Sequence, residues 1–153
     1  DEGGALLCRQ TSNVTIVNSM ILNNTGARGG AMLISEGSFV TMDNVIIDGN
    51  AANGNGSSSG YGGAIAITNR ADMNINNCKI SNNTSSYDGA GLWIKSDGGS
   101  PASRTIVNID STEISANICN NTAPNAHGGG ISMHNEAEVN INYSVIKNNQ
   151  NHT

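Results

Sequence analysis

Positive charge is scarce in this chain: seven lysines and arginines stand against twelve aspartates and glutamates, a formal charge of −5 over 153 residues. Arg9, Arg28, Arg70, Lys79, Lys95, Arg104 and Lys147 are scattered, so no basic patch is available to hold nucleic acid or an anionic membrane surface. No apolar run is long enough to span a bilayer, which argues against membrane insertion, and no signal-peptide pattern opens the chain, which reads as a mature or excised product. No window long enough for a helix keeps a helical period. Cysteines number three and show no metal-ligand spacing, so neither a metal nor another cofactor is expected. They fall in different repeat columns, Cys8 at an inward strand position, Cys78 at a corner and Cys119 in a loop. Buried or free thiols are the reading, with an intermolecular bridge as the alternative.

What is present is a repeat. Boxes of small residues occur at Gly3-Gly4-Ala5, Gly29-Gly30-Ala31, Gly62-Gly63-Ala64, Gly89-Ala90-Gly91 and Gly128-Gly129-Gly130. Strands follow at Val14, Val40, Met73, Val107 and Val139. The step from box to strand is identical in four repeats, Gly3 to Val14, Gly29 to Val40, Gly62 to Met73 and Gly128 to Val139. It is longer only from Gly89 to Val107, where positions 96–101 read as an inserted loop. From each strand start to a closing asparagine the spacing never changes, ending at Asn24, Asn50, Asn83, Asn117 and Asn149. The step from that asparagine to the next box varies, from Asn24–Gly29 at its shortest to Asn50–Gly62 at its longest, so length variation is confined to two corners of the repeat.

Apolar residues alternate, as in Met32/Ile34, Ile65/Ile67, Val40/Met42 and Val139/Ile141, and period two with Val and Ile means short strands. Glycine, asparagine, serine and threonine fill the gaps with turn chemistry. Repeats of this size, with three short strands each, match the coils of a parallel β-helix, in which no coil buries its apolar face alone. The expected fold is all-β, one solenoid domain over residues 1–153 with uncapped ends and about five coils, at 3–28, 29–61, 62–88, 89–127 and 128–153. At the usual spacing of paired strands it would be about 24 Å long. The asparagine column is expected to stand at one inward corner and to form a ladder that satisfies corner amides.

The Gly-Gly-Ala-apolar box alternating with an apolar-x-x-Asn box, as in Gly63-Ala64-Ile65 and Ile80-Ser81-Asn82-Asn83, resembles the repeat of the chlamydial polymorphic outer-membrane proteins. More broadly, it is similar to right-handed parallel β-helices of the pectin-lyase type. The resemblance spans the chain and implies a right-handed coil and adhesion. Isoleucine stands where that family usually has phenylalanine, and no membrane-barrel domain follows.

Asn-x-Ser/Thr triplets occur at Asn13, Asn23, Asn55, Asn82, Asn83, Asn120, Asn142 and Asn151, although a chain this rich in asparagine, serine and threonine generates such triplets by composition alone. Asn83 belongs to the ladder column. Asn55, Asn120 and Asn151, in variable loops or at the end, are the foremost acceptors. The outward row Leu7, Leu33, Ala66, Trp93 and Ser132 is apolar where a solvated solenoid should be polar. Either loops cover it, or the alternation is inverted, or Leu7, Leu33 and Trp93 form a lateral interface.

Uncapped ends in phase with the repeat leave two readings: a protomer stacking head-to-tail into a filament of its own copies, or a piece of a longer solenoid such as a cell-surface adhesin. A second outward row, Thr15, Thr41, Asn74, Asn108 and Asn140, offers small polar groups to a glycan or a host surface. Polysaccharide cleavage needs clustered carboxylates. Asp43 and Asp110 share a column but stand two coils apart, and His127, His134 and His152 read as isolated loop or surface residues. The sequence therefore points to a non-catalytic extracellular solenoid.

Overall fold

A computed structural model of the chain describes residues 2–54, 59–98, 103–121 and 127–152, so the later part of the expected inserted loop lies outside the described residues. Its strands, numbered along the chain, stack in three parallel sheets. The first holds β1 (Leu6–Cys8), β4 (Met32–Ile34), β7 (Ile65–Thr68), β11 (Leu92–Lys95) and β15 (Ile131–His134) in that order. The second holds β3 (Thr25–Gly26), β6 (Ala51–Ala52), β10 (Thr84–Ser85), β14 (Ile118–Cys119) and β18 (Gln150–Asn151). The third joins two faces through a bend. On one face β2 (Asn13–Leu22), β5 (Phe39–Asp48), β8 (Asp72–Asn76), β12 (Ile106–Asp110) and β16 (Glu138–Asn142) follow one another. On the other, β9 (Lys79–Ser81), β13 (Glu113–Ser115) and β17 (Val145–Lys147) continue from the far half of β5.

Every pairing joins a strand to its counterpart one repeat away, in register. Met32 lies opposite Ile65, Val40 opposite Met73 and Ile80 opposite Ile114. This is a parallel β-helix. Inward residues therefore stack like on like: Ile34, Ile67 and Ile94 in one row, Met42, Ile75 and Ile109 in another, Ile47, Ile80 and Ile114 in a third, all fully or almost fully buried. Burying each such side chain contributes about 1.5–3 kcal/mol.

The first two repeats depart from three short strands, because β2 and β5 each run unbroken through the bend. Later repeats divide there, where side-chain hydroxyls replace the backbone pairing. The Cys78 amide donates to Thr112 Oγ1 at 3.1 Å, and the Thr112 amide donates to Ser144 Oγ at 3.0 Å. Val45, at the same position in β5, has no hydroxyl and pairs through its backbone with Ser19.

Corners explain the abundance of asparagine. The bend falls on Asn18, Asn44, Asn77, Ser111 and Tyr143, and the next corner on Asn23, Gly49, Asn82, Ala116 and Asn148. All ten have φ between 46° and 68°, the left-handed region. Asparagine tolerates that region better than most residues, whereas an ordinary L side chain there costs about 1–2 kcal/mol. Glycine is obligatory for a different reason at Gly30, where a Cβ would collide with the Gly63 carbonyl of the next repeat. Ala116, with φ 53°, is the mismatch in its column. Ala116→Gly is expected to stabilise the fold by about 0.5–1 kcal/mol, the relief of left-handed strain less the added entropy of an unfolded glycine. Urea unfolding of the two proteins measures it, and an unchanged or lower midpoint would contradict this account of the corner.

Candidate functional site

The five asparagines stand in one column with a repeating hydrogen-bond pattern. Asn50 donates from its backbone amide to Asn83 Oδ1 at 2.9 Å and from Nδ2 to the same oxygen at 3.0 Å. Asn24 does so to Asn50, Asn83 to Asn117, and Asn117 to Asn149. The second Nδ2 hydrogen reaches back one repeat, from Asn50 to the Ile21 carbonyl, Asn83 to Ile47, Asn117 to Ile80 and Asn149 to Ile114. Each interior side-chain amide thus satisfies two backbone groups of the preceding repeat, an asparagine N–H and an isoleucine carbonyl, and donates to the asparagine side chain of the following one. The column runs one way: among the described residues nothing donates to Asn24 Oδ1, and the Asn149 amide and Nδ2 meet no asparagine beyond them.

On the outer face Asn140 donates to Asn108 at 3.1 Å and Asn108 to Asn74 at 2.9 Å, continuing the row of Thr15 and Thr41. Asp43 and Asp110 are separated in register by Asn76. Glu113 is the most connected surface carboxylate, with Lys147 Nζ at 2.8 Å, Ser115 Oγ donating at 2.7 Å and Lys79 Nζ at 3.8 Å. The hydrogen bond from Lys147, followed by that from Ser115, holds the Glu113 carboxyl below its usual range.

The apolar outward row is largely closed. Leu33, Ala66 and Trp93 are buried under Tyr61, whose ring stacks on Trp93 at 4.3 Å between centroids, and Ser132 is buried as well. Leu7 alone is substantially exposed, at 44%. Leu33 and Trp93 therefore do not present a lateral interface. The step from Asn50 to Gly62, the longest of its kind, carries Tyr61 across the row.

Beside that cover lies a cleft of about 260 Å³, lined by Tyr61, Tyr87, Asp88, Trp93, Lys95, His127, His134 and Asn135. Its geometry follows from two columns of the solenoid. Tyr61, Asp88 and His127 each immediately precede a glycine box and pass backbone hydrogen bonds along the stack, and Lys95 and His134 are paired across β11 and β15. Asp88 is 1% exposed, and its Oδ2 lies 2.9 Å from His134 Nε2. A carboxylate only accepts, so Nε2 carries the hydrogen. The same nitrogen lies 3.0 Å from Ser132 Oγ. Asp88 Oδ1 and Trp93 Nε1 are buried and, among the described residues, have no hydrogen-bond partner. Burial, with Tyr87 and Asp88 nearby, pushes the Tyr61 phenol up.

His134 is accordingly a strand residue tied to a carboxylate rather than an isolated one, and Asp88, Tyr61 and Tyr87 join it although periodicity alone did not single them out. The column of residues preceding each box, Glu2, Arg28, Tyr61, Asp88 and His127, was the available signal. At its other end Glu2 pairs with Arg9 and Arg28.

All three cysteines are buried and free, and Cys119 lies in β14, not in a loop, with its Sγ 3.2 Å from the Tyr87 carbonyl. Burial pushes the Cys8 and Cys78 thiols up, away from the reactive thiolate. Of the triplet asparagines, Asn13, Asn23, Asn82, Asn120, Asn142 and Asn151 are exposed and Asn55 lies outside the described residues. Asn82 donates to Asp48 at 2.7 Å, Asn151 sits in β18 near the end of the chain, and Asn83 is buried.

Residues 3–153 match the family described as right-handed beta helix region, and the chain belongs to that family. No curated protein and no solved structure matches it.

Asn83→Ala removes both acceptor contacts used by Asn50 and strands its donors in the interior, so a loss of about 2–4 kcal/mol is expected, against about 1 kcal/mol for Asn24→Ala at the column's end. Equal losses in denaturant unfolding would show that stacking along the column contributes nothing. For Glu113 the sign follows from its lowered folded-state pKa: its stabilisation is present above the unfolded carboxylate range and is lost as pH falls through the folded value. Lys147→Met should return the Glu113 carboxyl toward its ordinary range in an NMR titration; an unmoved titration would remove Lys147 as the cause.

Proposed function

We propose that this chain is a non-catalytic structural or adhesive solenoid working at an extracellular surface, and that its end turns are completed by further coils of the same kind. Those coils come from head-to-tail copies or from adjoining solenoid sequence. The supporting observation is the state of the last repeat. Ile141 and Ile146 occupy the inward rows of Ile109 and Ile114, yet they are 44% and 47% exposed where those two are 1% and 0%. Across the same end the Asn149 donors point onward, and the opposite end offers the unused Asn24 oxygen. Donor and acceptor ends of one ladder are complementary, which is what an open heterologous stack requires.

A binding or structural role also accords with the polar groups on the flanks. Asp43 and Asp110 are too far apart in register to share a proton. His134 contacts both Ser132 and Asp88 through one nitrogen, which leaves no relay from carboxylate to hydroxyl through the two sides of the ring. A glycan-binding face is the second reading, favoured by the hydrogen-bonded row Asn74, Asn108 and Asn140 beside Thr15 and Thr41. Binding on a glycan array that is lost in Asn108→Asp would support it.

The stacking reading is tested by sedimentation velocity over a micromolar concentration series. The chain is expected to grow by mass action, and Ile146→Lys, at an exposed end position, is expected to shift it toward the monomer. A monomer at every concentration, with amide protons of β16 and β17 well protected from exchange, would overturn head-to-tail stacking.

A further inference from the structure

The cleft beside Trp93 contains three polar groups that the fold leaves unserved, and they differ in sign. Asp88 Oδ1 is an anionic acceptor, buried and, among the described residues, without a hydrogen-bond partner. Trp93 Nε1 is a neutral donor, also buried and without a partner, on a side chain only 6% exposed. Lys95 lines the same cleft and, among the described residues, pairs with no carboxylate. Buried polar atoms in folded proteins almost always find a partner, and a carboxylate oxygen without one destabilises the fold by more than a neutral group does. The other oxygen of Asp88 is already committed to His134.

The complement of such a set is a molecule that carries a cationic donor beside an anionic acceptor. An ammonium group donates a charge-assisted hydrogen bond to Asp88 Oδ1, the stronger kind of contact for a desolvated carboxylate. A carboxylate accepts from the Trp93 indole and attracts the Lys95 ammonium. The rings of Tyr61 and Tyr87, 4.9 Å apart and edge-on, supply an aromatic wall for an apolar or cationic remainder. A quaternary ammonium alone would leave the indole hydrogen unserved, and a simple anion would meet the Asp88 carboxylate. A cavity of about 260 Å³ is small for a drug-sized ligand and limits the occupant to one compact molecule.

We propose that the cleft formed by Tyr61, Tyr87, Asp88, Trp93, Lys95 and His134 binds a small dipolar organic ion of the α-amino-acid class, its ammonium on Asp88 and its carboxylate toward Trp93 and Lys95. The proposal does not rest on end-to-end stacking: the cleft lies on the flank of the solenoid, and of these six residues only His134, in β15, belongs to the last repeat. Asp88 and Tyr61 come from the turns before their glycine boxes, whereas Trp93, Lys95 and His134 come from the first sheet. Recognition therefore draws on four successive coils, from Tyr61 at the end of the second to His134 in the fifth.

The test is titration calorimetry of the full chain with L-phenylalanine, its methyl ester, its N-acetyl derivative and D-glucose. Saturable binding of the amino acid is expected, weakened at least about tenfold when either charged end is masked. Lys95→Gln, at an exposed position that leaves the core intact, is expected to weaken the amino acid about tenfold and the methyl ester hardly at all, because the ester lacks the group that Lys95 attracts. Trp93→Phe keeps the stacked ring and removes the indole donor, and should also weaken binding. The proposal is overturned if L-phenylalanine shows no saturation up to roughly 10 mM. It is equally overturned if the ester or the N-acetyl derivative binds as tightly as the free amino acid, or if glucose binds saturably where the amino acid does not.

Discussion

In-register parallel pairing between consecutive repeats is the constraint on which the rest of this structure depends. Once every strand must lie on its counterpart, each position of the repeat becomes a column, and each column must be self-compatible along the stack. Isoleucine and methionine meet that requirement inside, because like side chains interdigitate row on row. A buried polar group meets it only if it can both give and receive along the axis. Asparagine is suited to this: its amide accepts two hydrogens from one neighbour and donates in both directions, so the column from Asn24 to Asn149 satisfies backbone groups that a buried corner would otherwise orphan.

The corners impose a second condition, since a solenoid turns only where the chain can enter the left-handed region. Ten positions at two corners do so, and most are asparagine or glycine. The same residue type therefore serves two unrelated needs, one inside as a hydrogen-bonded amide and one outside as a backbone conformer. Where a column departs from its rule, the local structure shows the consequence. Val45 lacks the hydroxyl of Thr112 and Ser144, and there the strand continues unbroken through the bend.

Chemical individuality enters where the repeat relaxes. The turns before the glycine boxes vary in length and carry Arg28, Tyr61, Asp88 and His127 in place of a repeated residue. Over the first repeats that column closes as an ion-paired cluster of Glu2, Arg9 and Arg28. Over the later ones it becomes an aromatic cover on Trp93 with a carboxylate beneath it. Strict stacking provides the scaffold, and departures from repetition provide a cleft whose side chains keep unserved polar atoms.

Period, strand identity, register and the asparagine column were legible in the sequence, because each is a local pattern repeated at fixed spacing: Val40 to Asn50 and Met73 to Asn83 carry the same step. The fate of the outward row was not legible. Alternation assigns Leu33 and Trp93 to the outer face and says nothing about what lies over them, which depends on how Tyr61 returns across the sheet from a turn of irregular length. The partnership of Asp88 with His134 lay equally out of reach, since the two are far apart in the chain and stand in different columns whose residue types do not repeat. Periodic positions were determined by sequence alone because each answers to a copy of itself; the cover, the cleft and its orphaned atoms were decided by tertiary structure because they join residues that repeat nothing.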